Sequence, residues 1–240
     1  AAGVLCSSMT EDLLRYGAKV AVLDLRKEVA DAFVASLRKK GLKNCIAVEA
    51  NVLDEKSLVA ARKVIISKFK KIDVLINNAQ ASASGKMLID HTKEDIDLAI
   101  NSGIYATFFY MREAFPYLKQ TKGCVINFAS GAGLFGRIAQ SSYAAAKEGI
   151  RGLSRVAATE WAPDGVRVNV ICPLAMTEGL KKFKEEYPER YEQTIKGVPM
   201  GRFADPEKDV GGVCVFLCSD DASYITGETI TLQGGSGLRP

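Results

Sequence analysis

The stretch Ile72-Asp73-Val74-Leu75-Ile76-Asn77-Asn78-Ala79 decides the fold. Its apolar centre has no polar side chain on either face, which is typical of a strand covered by helices on both sides of a parallel sheet. Two asparagines follow where the strand should end, and their side chains can hold backbone beside a ligand. Asparagine pairs also form ordinary turns, so this interpretation needs support from the rest of the chain.

Similar apolar runs occur along the whole chain and alternate with helical patterns, one of which places Val29, Phe33 and Leu37 on a single face. This alternation predicts an α/β fold with a doubly wound, Rossmann-like parallel sheet, in one domain over residues 1–240. The other predicted strands are Lys19–Leu23, Cys45–Val48, Cys124–Phe128, Val166–Ile171 and Thr229–Leu232.

The chain opens directly in what should be the turn after a first strand, at Ala1-Ala2-Gly3-Val4-Leu5. A helix is expected next, from about Ser7 to Tyr16, with Gly17 ending it. The first strand of such a sheet is central, so its loss should unfold the domain. We therefore expect the natural polypeptide to carry about ten more residues upstream, a typical strand with its lead-in.

The composition narrows the function classes. Hydrophobic residues make up 48% of the 240 residues, and 32 basic residues are spread among 28 acidic ones, which argues against a nucleic-acid partner. Several of the six cysteines lie in apolar runs, as free thiols in a reducing compartment do, and His91 is the only histidine, so no metal site is expected. No run is long and apolar enough for a membrane span. We expect a cytoplasmic protein without a membrane partner.

A tyrosine and a lysine four residues apart carry the chemistry. Tyr143 and Lys147 should share one face of a helix, and Ser130 precedes the tyrosine by thirteen residues. A phenol beside an ammonium ionises more readily, and a phenolate is a general base for a hydroxyl group, while the phenol is a general acid for a carbonyl. The pair alone is weak, because small-residue helices often carry both residues by chance.

An acidic residue directly after the predicted strand Lys19–Leu23 indicates the cofactor. In a dinucleotide fold, a carboxylate at the position of Asp24 accepts hydrogen bonds from the adenosine ribose and repels a 2′-phosphate. Leu25 follows it rather than a basic residue, which favours NAD over NADP, although Arg26 is close. Aspartate after a strand is also a common turn residue.

Taken together and in this order, these residues resemble the short-chain dehydrogenase/reductase family over nearly the whole chain. The features that carry the resemblance are Asp24, Asn77-Asn78-Ala79, Asn101, Ser130 with Tyr143 and Lys147, Asn169 with Pro173, and the tail Ile225-Thr226-Gly227-Glu228.

The resemblance implies a role for each matching residue. Tyr143 would be the acid–base residue, Lys147 would lower the tyrosine pKa and hold the nicotinamide ribose, and Ser130 would bind the substrate oxygen. Asn101 would kink its helix and bind a water that relays protons to Lys147. The cofactor would be bound by Gly3, Val4, Leu5, Asp24, Asn51, Val52, Asn78, Ala79, Tyr143, Lys147, Pro173, Met176 and Thr177.

Several positions depart from the family pattern, among them Val4 in the glycine-rich turn, Leu174 in place of the glycine after Pro173, and Thr177, which falls one position early. Cys6 stands where the glycine-rich turn usually has its last glycine, which affects the pyrophosphate geometry. Gln80 replaces the glycine after Asn-Asn-Ala and directs a polar side chain toward the cofactor or substrate. Asn51 replaces the aspartate that contacts adenine, and its carbonyl is expected to bind the adenine amino group instead.

The function that follows is reversible oxidation of a secondary alcohol to a ketone. A lysine- and glutamate-rich stretch at residues 178–202 is expected to form a mobile helical lid, and the apolar residues around the site favour an apolar or cyclic alcohol such as a hydroxysteroid. A sugar or polyol dehydrogenase, a non-catalytic dinucleotide sensor and, more weakly, a hydrolase remain alternatives. The family resemblance also implies a homodimer or homotetramer, and the helices beginning near Ile104 and Ala144 carry apolar residues on more than one face.

Overall fold

The computed structural model describes residues 3–237, and Ala1 and Ala2 of the predicted turn lie outside them. Six parallel strands alternate with helices, as the apolar runs predict. The strands are β1 Val20–Asp24, β2 Cys45–Glu49, β3 Val74–Asn77, β4 Cys124–Phe128, β5 Arg167–Pro173 and β6 Thr229–Leu232. Each predicted strand is found within two residues of its expected ends.

Within residues 3–237, ten α-helices connect and cover these strands. They are α1 Val4–Arg15, α2 Lys27–Lys39, α3 Glu55–Phe69, α4 Lys93–Ile100, α5 Ala106–Thr121, α6 Gly131–Phe135, α7 Ser141–Trp161, α8 Glu178–Glu186, α9 Pro188–Lys196 and α10 Gly212–Cys218. Helix α1 begins at Val4, three residues earlier than predicted, because Gly3 rather than a later polar residue is its N-cap. Gly17 follows the helix with a φ of +86°, as a glycine after a helix end does.

The strands form two parallel groups. β1 pairs with β2, and β3, β4, β5 and β6 pair in that order. The central strand β4 is buried along its whole length, and its neighbour β5 is buried from Val168 to Cys172, so both faces of this sheet are covered. Parallel pairing places the carboxyl ends of all the strands in a group at one edge, and this edge is where α/β proteins bind ligands.

Local capping explains where several helices begin. Thr92 accepts a hydrogen bond from the Asp95 backbone N–H, and the Asp95 carboxylate accepts one from the Thr92 N–H, which is the predicted capping box. Asp205 caps the turn that begins at Pro206, as its sequence indicates.

Between α4 and α5 the chain is π-helical from Asn101 to Tyr105. Such a segment widens a helix locally and is frequent at functional sites.

Among the helices of residues 3–237, none combines the length and the apolar character that a membrane crossing requires. The six cysteines are free thiols, and Cys45, Cys124, Cys172 and Cys214 are buried.

The predicted lid segment consists of α8 and α9, which pack through their own apolar cluster around Tyr191, Val198 and Phe203. Its movement as a lid stays a prediction.

Candidate active site

The three residues expected to carry the chemistry lie together. Ser130 lies two residues after the end of β4 and caps α6, while α7 presents Tyr143 and Lys147 on successive turns. The Ser130 side chain lies close enough to the Tyr143 phenol to lower its pKa, and Ser130 Oγ accepts a 3.1 Å hydrogen bond from the Ala132 N–H. Lys147 Nζ lies 5.4 Å from the centre of the Tyr143 ring. This arrangement forms because α7 packs on β4 and begins near the edge of the sheet at which β4 ends.

Lys147 is an unusually buried cation. Its residue surface is only 4% exposed, and Nζ donates a 2.7 Å hydrogen bond to the Phe128 carbonyl at the end of β4. Burial lowers the pKa of the Lys147 ammonium to about 8, because desolvation disfavours the charged form. A buried lysine of this kind is costly to the fold, which points to a functional reason for its presence.

Burial shifts the pKa of Tyr143 in the opposite direction to that of Lys147. Desolvation raises the pKa of the Tyr143 phenol above 10, while the neighbouring Ser130 side chain lowers it. In the protein alone the pKa of Tyr143 is therefore raised, and the lowering of this pKa by Lys147 stays a prediction. The lysine holds the Phe128 carbonyl rather than the phenol oxygen, so its charge does not offset the burial of the tyrosine.

The role predicted for Asn101 stays a prediction. Asn101 begins the π-helical segment, so the predicted distortion of the helix is present, but its side chain is exposed. The next two residues, Ser102 and Gly103, are buried. Residues two apart on a helix face different directions, so the buried side of this segment belongs to Gly103 rather than Asn101.

The opposite end of the site collects the residues predicted to hold the adenosine. Asn78 Nδ2 donates to Cys6 Sγ at 3.0 Å, which joins the end of β3 to the first turn of α1. Asp24 lies close enough to help burial raise the pKa of the Cys6 thiol. Backbone N–H groups in the first turn of α1, at Val4 and Leu5, have no partner within the helix, and such groups favour phosphate. These residues fit a dinucleotide.

Asn51 is oriented differently from the expectation. Its Oδ1 accepts a 3.0 Å hydrogen bond from the Leu53 backbone N–H, so the carbonyl holds its own turn. The amide N–H groups are then the ones left to meet a base, and they would donate to a ring nitrogen rather than accept from an amino group. Val52 lies in the same turn and is partly buried, and Ala79 beyond β3 is exposed.

The nicotinamide part of the cofactor is expected to lie beside the last residues of β5. Pro173 is the last residue of that strand, and Thr177 caps α8 by accepting a 3.3 Å hydrogen bond from the Leu180 N–H. Met176 packs against the apolar cluster of the lid segment. A cavity of about 620 Å³ is lined by Val4 and Met176 from the predicted cofactor set, together with residues 202–209, and does not include the Tyr143 side chain.

Comparison with known proteins identifies the family. A family model described as enoyl-(acyl carrier protein) reductase matches residues 3–236. The chain belongs to the short-chain dehydrogenase/reductase family. A curated relative, the 12α-hydroxysteroid dehydrogenase of Clostridium sp. (strain ATCC 29733 / VPI C48-50), is 62% identical over 197 residues, which are 81% of this chain and 76% of that protein.

Solved structures of the same short-chain dehydrogenase/reductase fold support the assignment. Levodione reductase superposes with a TM-score of 0.91 at 28% identity, covering 98% of this chain and 94% of that one. NAD⁺-bound xylitol dehydrogenase superposes with a TM-score of 0.90 at 26% identity, and the alignment covers 98% of this chain and 95% of that one. The chain is therefore an oxidoreductase that uses a nicotinamide dinucleotide to interconvert an alcohol and a carbonyl group.

Two side chains near the site have surroundings that the sequence did not indicate. His91 Nε2 lies 3.1 Å from the Ser142 hydroxyl, next to Tyr143, a contact that only the tertiary fold creates. The Gln80 amide is buried beside Gly103. The replacement of a short-chain dehydrogenase glycine by Gln80 was visible in the sequence, but its location against α7 was not.

Proposed function

We propose that the protein oxidises a ring hydroxyl of a steroid-like alcohol, and reduces the corresponding ketone, with NAD as the preferred cofactor. The observation that carries this proposal is the Ser130–Tyr143–Lys147 cluster at the carboxyl edge of the sheet. The 62% identity to a 12α-hydroxysteroid dehydrogenase supports the substrate class.

The chain's own residues perform the proton chemistry. The Ser130 hydroxyl binds the substrate oxygen, and the Tyr143 oxygen takes the hydroxyl proton in oxidation and returns it in reduction. Lys147, anchored on the Phe128 carbonyl, holds the nicotinamide ribose and connects the tyrosine to a proton path. The nicotinamide, when bound, accepts or donates the hydride.

The cofactor preference is argued from the end of β1. Asp24 ends that strand, and its Oδ1 accepts a 3.1 Å hydrogen bond from the Arg26 N–H, which fixes the carboxylate at the sheet edge. A carboxylate held there suits the two ribose hydroxyls of NAD and repels the 2′-phosphate of NADP. Asn51, Val52, Asn78 and Ala79 are assigned to the adenosine side, and Gly3, Val4 and Leu5 to the pyrophosphate.

The substrate side is apolar. Phe135 and Ile138 lie between Ser130 and Tyr143 in the chain and are 43% and 81% exposed. Large apolar side chains at this position suit a fused-ring alcohol better than a sugar. Pro173, Met176 and Thr177 are assigned to the nicotinamide side, with residues 178–202 closing over the substrate as a lid.

Assembly is proposed from α5 and α7. Phe108 on α5 and Val156 on α7 are 41% and 57% exposed, and Tyr105 just before α5 is 51% exposed. Phe115 on α5 and Trp161 on α7 stack on each other with ring centres 4.5 Å apart, so they pack within the subunit. We assign the exposed apolar residues to the contact of a homodimer or homotetramer.

A substrate panel tests the function. Purified protein should oxidise hydroxysteroids with NAD at a higher kcat/KM than butanediol or xylitol, and Tyr143→Phe should keep NAD binding while losing most turnover. If the protein turns over a polyol preferentially, the proposed steroid substrate is wrong and a polyol, as for xylitol dehydrogenase, takes its place. Binding of NAD without turnover of any alcohol would favour the sensor alternative.

A further inference from the structure

The short helix α6 is contacted at both ends by the segment that follows β6. Ser130 is the N-cap of this helix, and Gly131 is its first residue. A Cβ atom on Gly131 would lie 2.8 Å from Oε1 of the Gln233 side chain and closer still to Nε2. At the other end of α6, a Cβ atom on Gly237 would overlap the ring of Phe135. The helix that Ser130 caps therefore lies against this segment at its start and at its end.

Gln233 lies one residue after β6 and carries a buried amide. Its residue surface is 5% exposed, and Nε2 donates a 3.5 Å hydrogen bond to the carbonyl of Cys172, near the end of β5. The same amide therefore contacts the residue after Ser130 and the end of β5. Glutamine is mostly exposed in proteins, and an apolar side chain would fill such a space without the cost of desolvating an amide. A directional role explains this polar side chain better than the filling of space does.

The backbone at Gln233 is fixed on both sides. Before it, the Leu232 carbonyl accepts a 2.8 Å hydrogen bond from the Leu174 N–H. The Gln233 carbonyl itself accepts from the Ser236 N–H at 3.0 Å and from the Ser236 hydroxyl at 2.8 Å. A buried side chain that starts from a fixed backbone is held in one rotamer, so the amide can serve as a fixed reference for α6.

We propose that Gln233 is a positioning residue that sets the location of the Ser130 hydroxyl relative to the end of β5. The amide contacts Gly131 and is hydrogen-bonded to Cys172, so it fixes the start of α6 against the strand end that is assigned to the nicotinamide. The Ser130 side chain moves with this start, because its Oγ accepts a hydrogen bond from the Ala132 N–H. The inference rests on the proposed function, because it refines the task of Ser130 in alcohol oxidation.

The first test is Gln233→Met, which keeps the length of the side chain and removes the amide. Because the serine hydroxyl then shifts away from the substrate oxygen, kcat for alcohol oxidation should fall at least about tenfold. The profile of kcat against pH should also move to higher pH, because Ser130 lowers the pKa of Tyr143. A kcat and a pH profile like those of wild type would overturn the proposal. Gln120→Met, at an exposed glutamine near the end of α5, is the matched control.

A double-mutant cycle separates the positioning of Ser130 from a general structural effect. In the Ser130→Ala background, Gln233→Met should change kcat by less than about twofold, because the hydroxyl that the amide positions is absent. An equal loss in both backgrounds would overturn the proposal, since the effects of independent residues add. The Tm and the NAD affinity of every variant show whether it is folded.

A second cycle tests the contact in case Gln233→Met does not fold. The methyl group added by Gly131→Ala would overlap the Gln233 amide, so both Tm and kcat should fall. Gln233→Ala frees this space, so Gly131→Ala should cost less there, and equal losses in both backgrounds would also overturn the proposal. Failure of the proposed function is a different result, because wild-type protein would then turn over no alcohol, while this cycle can still be measured as changes in Tm.

Discussion

Replacing Lys147 by methionine should stabilise the cofactor-free protein. Burial moves the lysine pKa from 10.5 to about 8. At 1.36 kcal/mol per pKa unit, holding the charged form inside the fold costs about 3 kcal/mol. The variant also loses the hydrogen bond to the Phe128 carbonyl, which offsets about 1 kcal/mol of the gain. The expected net stabilisation is about 2 kcal/mol at pH 7.

The pH dependence of this gain has a definite sign. Below about pH 8 the lysine is charged in both the folded and the unfolded chain, so wild type bears the full cost of burying it. Between about 8 and 10.5 the unfolded chain holds a proton that the folded chain has released, and wild-type stability rises with pH. The advantage of Lys147→Met should therefore shrink over this window.

Urea unfolding at fixed protein concentration measures both effects. Wild type and Lys147→Met are compared at pH 7 and at pH 9.5, with Lys63→Met on the exposed face of α3 as the control. The variant should be more stable at pH 7 and nearly inactive. A variant less stable than wild type at pH 7, or a stability difference that does not change with pH, would refute the reasoning.

Three further changes test other parts of the site. Ser130→Ala removes the hydroxyl that lowers the Tyr143 pKa, so the profile of kcat against pH for alcohol oxidation should move to higher pH, and an unmoved profile would contradict the assignment. Asp24→Ser should raise the ratio of NADP to NAD kcat/KM by about fivefold or more, because a charge repulsion of about 1 kcal/mol or above is lost; steady-state kinetics with both cofactors decide this. Phe108→Glu should reduce the mass seen by light scattering if α5 forms the subunit contact, whereas a wild-type mass would place the contact elsewhere.

The sequence predicted those features that depend on local pattern. β4 and β6 have the predicted ends because their apolar runs are bounded by polar or glycine residues, and the Thr92–Asp95 capping box is a purely local motif. Ser130, Tyr143 and Lys147 could be placed together because strand order and a four-residue helical step fix their relation. The start of α1 was missed because its N-cap is Gly3. Glycine has no side chain, so the sequence shows no capping residue at this position.

Features that depend on tertiary burial could not be predicted in this way. The orientation of Asn101 depends on where the π-helical segment begins, and one extra residue in a turn changes which side chain faces α7. The location of Gln80 depends on Ser102 fastening the preceding loop, a contact between residues 21 apart in the chain. Sequence spacing therefore gave the residues of the site but not which of their neighbours are buried beside them.

The two pKa changes at the site have one cause and act together. Burial favours the neutral form of both Lys147 and Tyr143, so the protein alone is poorly prepared to take a proton from an alcohol near neutral pH. A positive charge brought beside the phenol lowers its pKa, and an oxidised nicotinamide carries such a charge. Alcohol oxidation is thereby coupled to a filled cofactor site, because the same desolvation that suppresses the tyrosine base also strengthens its response to a nearby charge. The cost of burying Lys147 in the free protein is consistent with a site built for its liganded state.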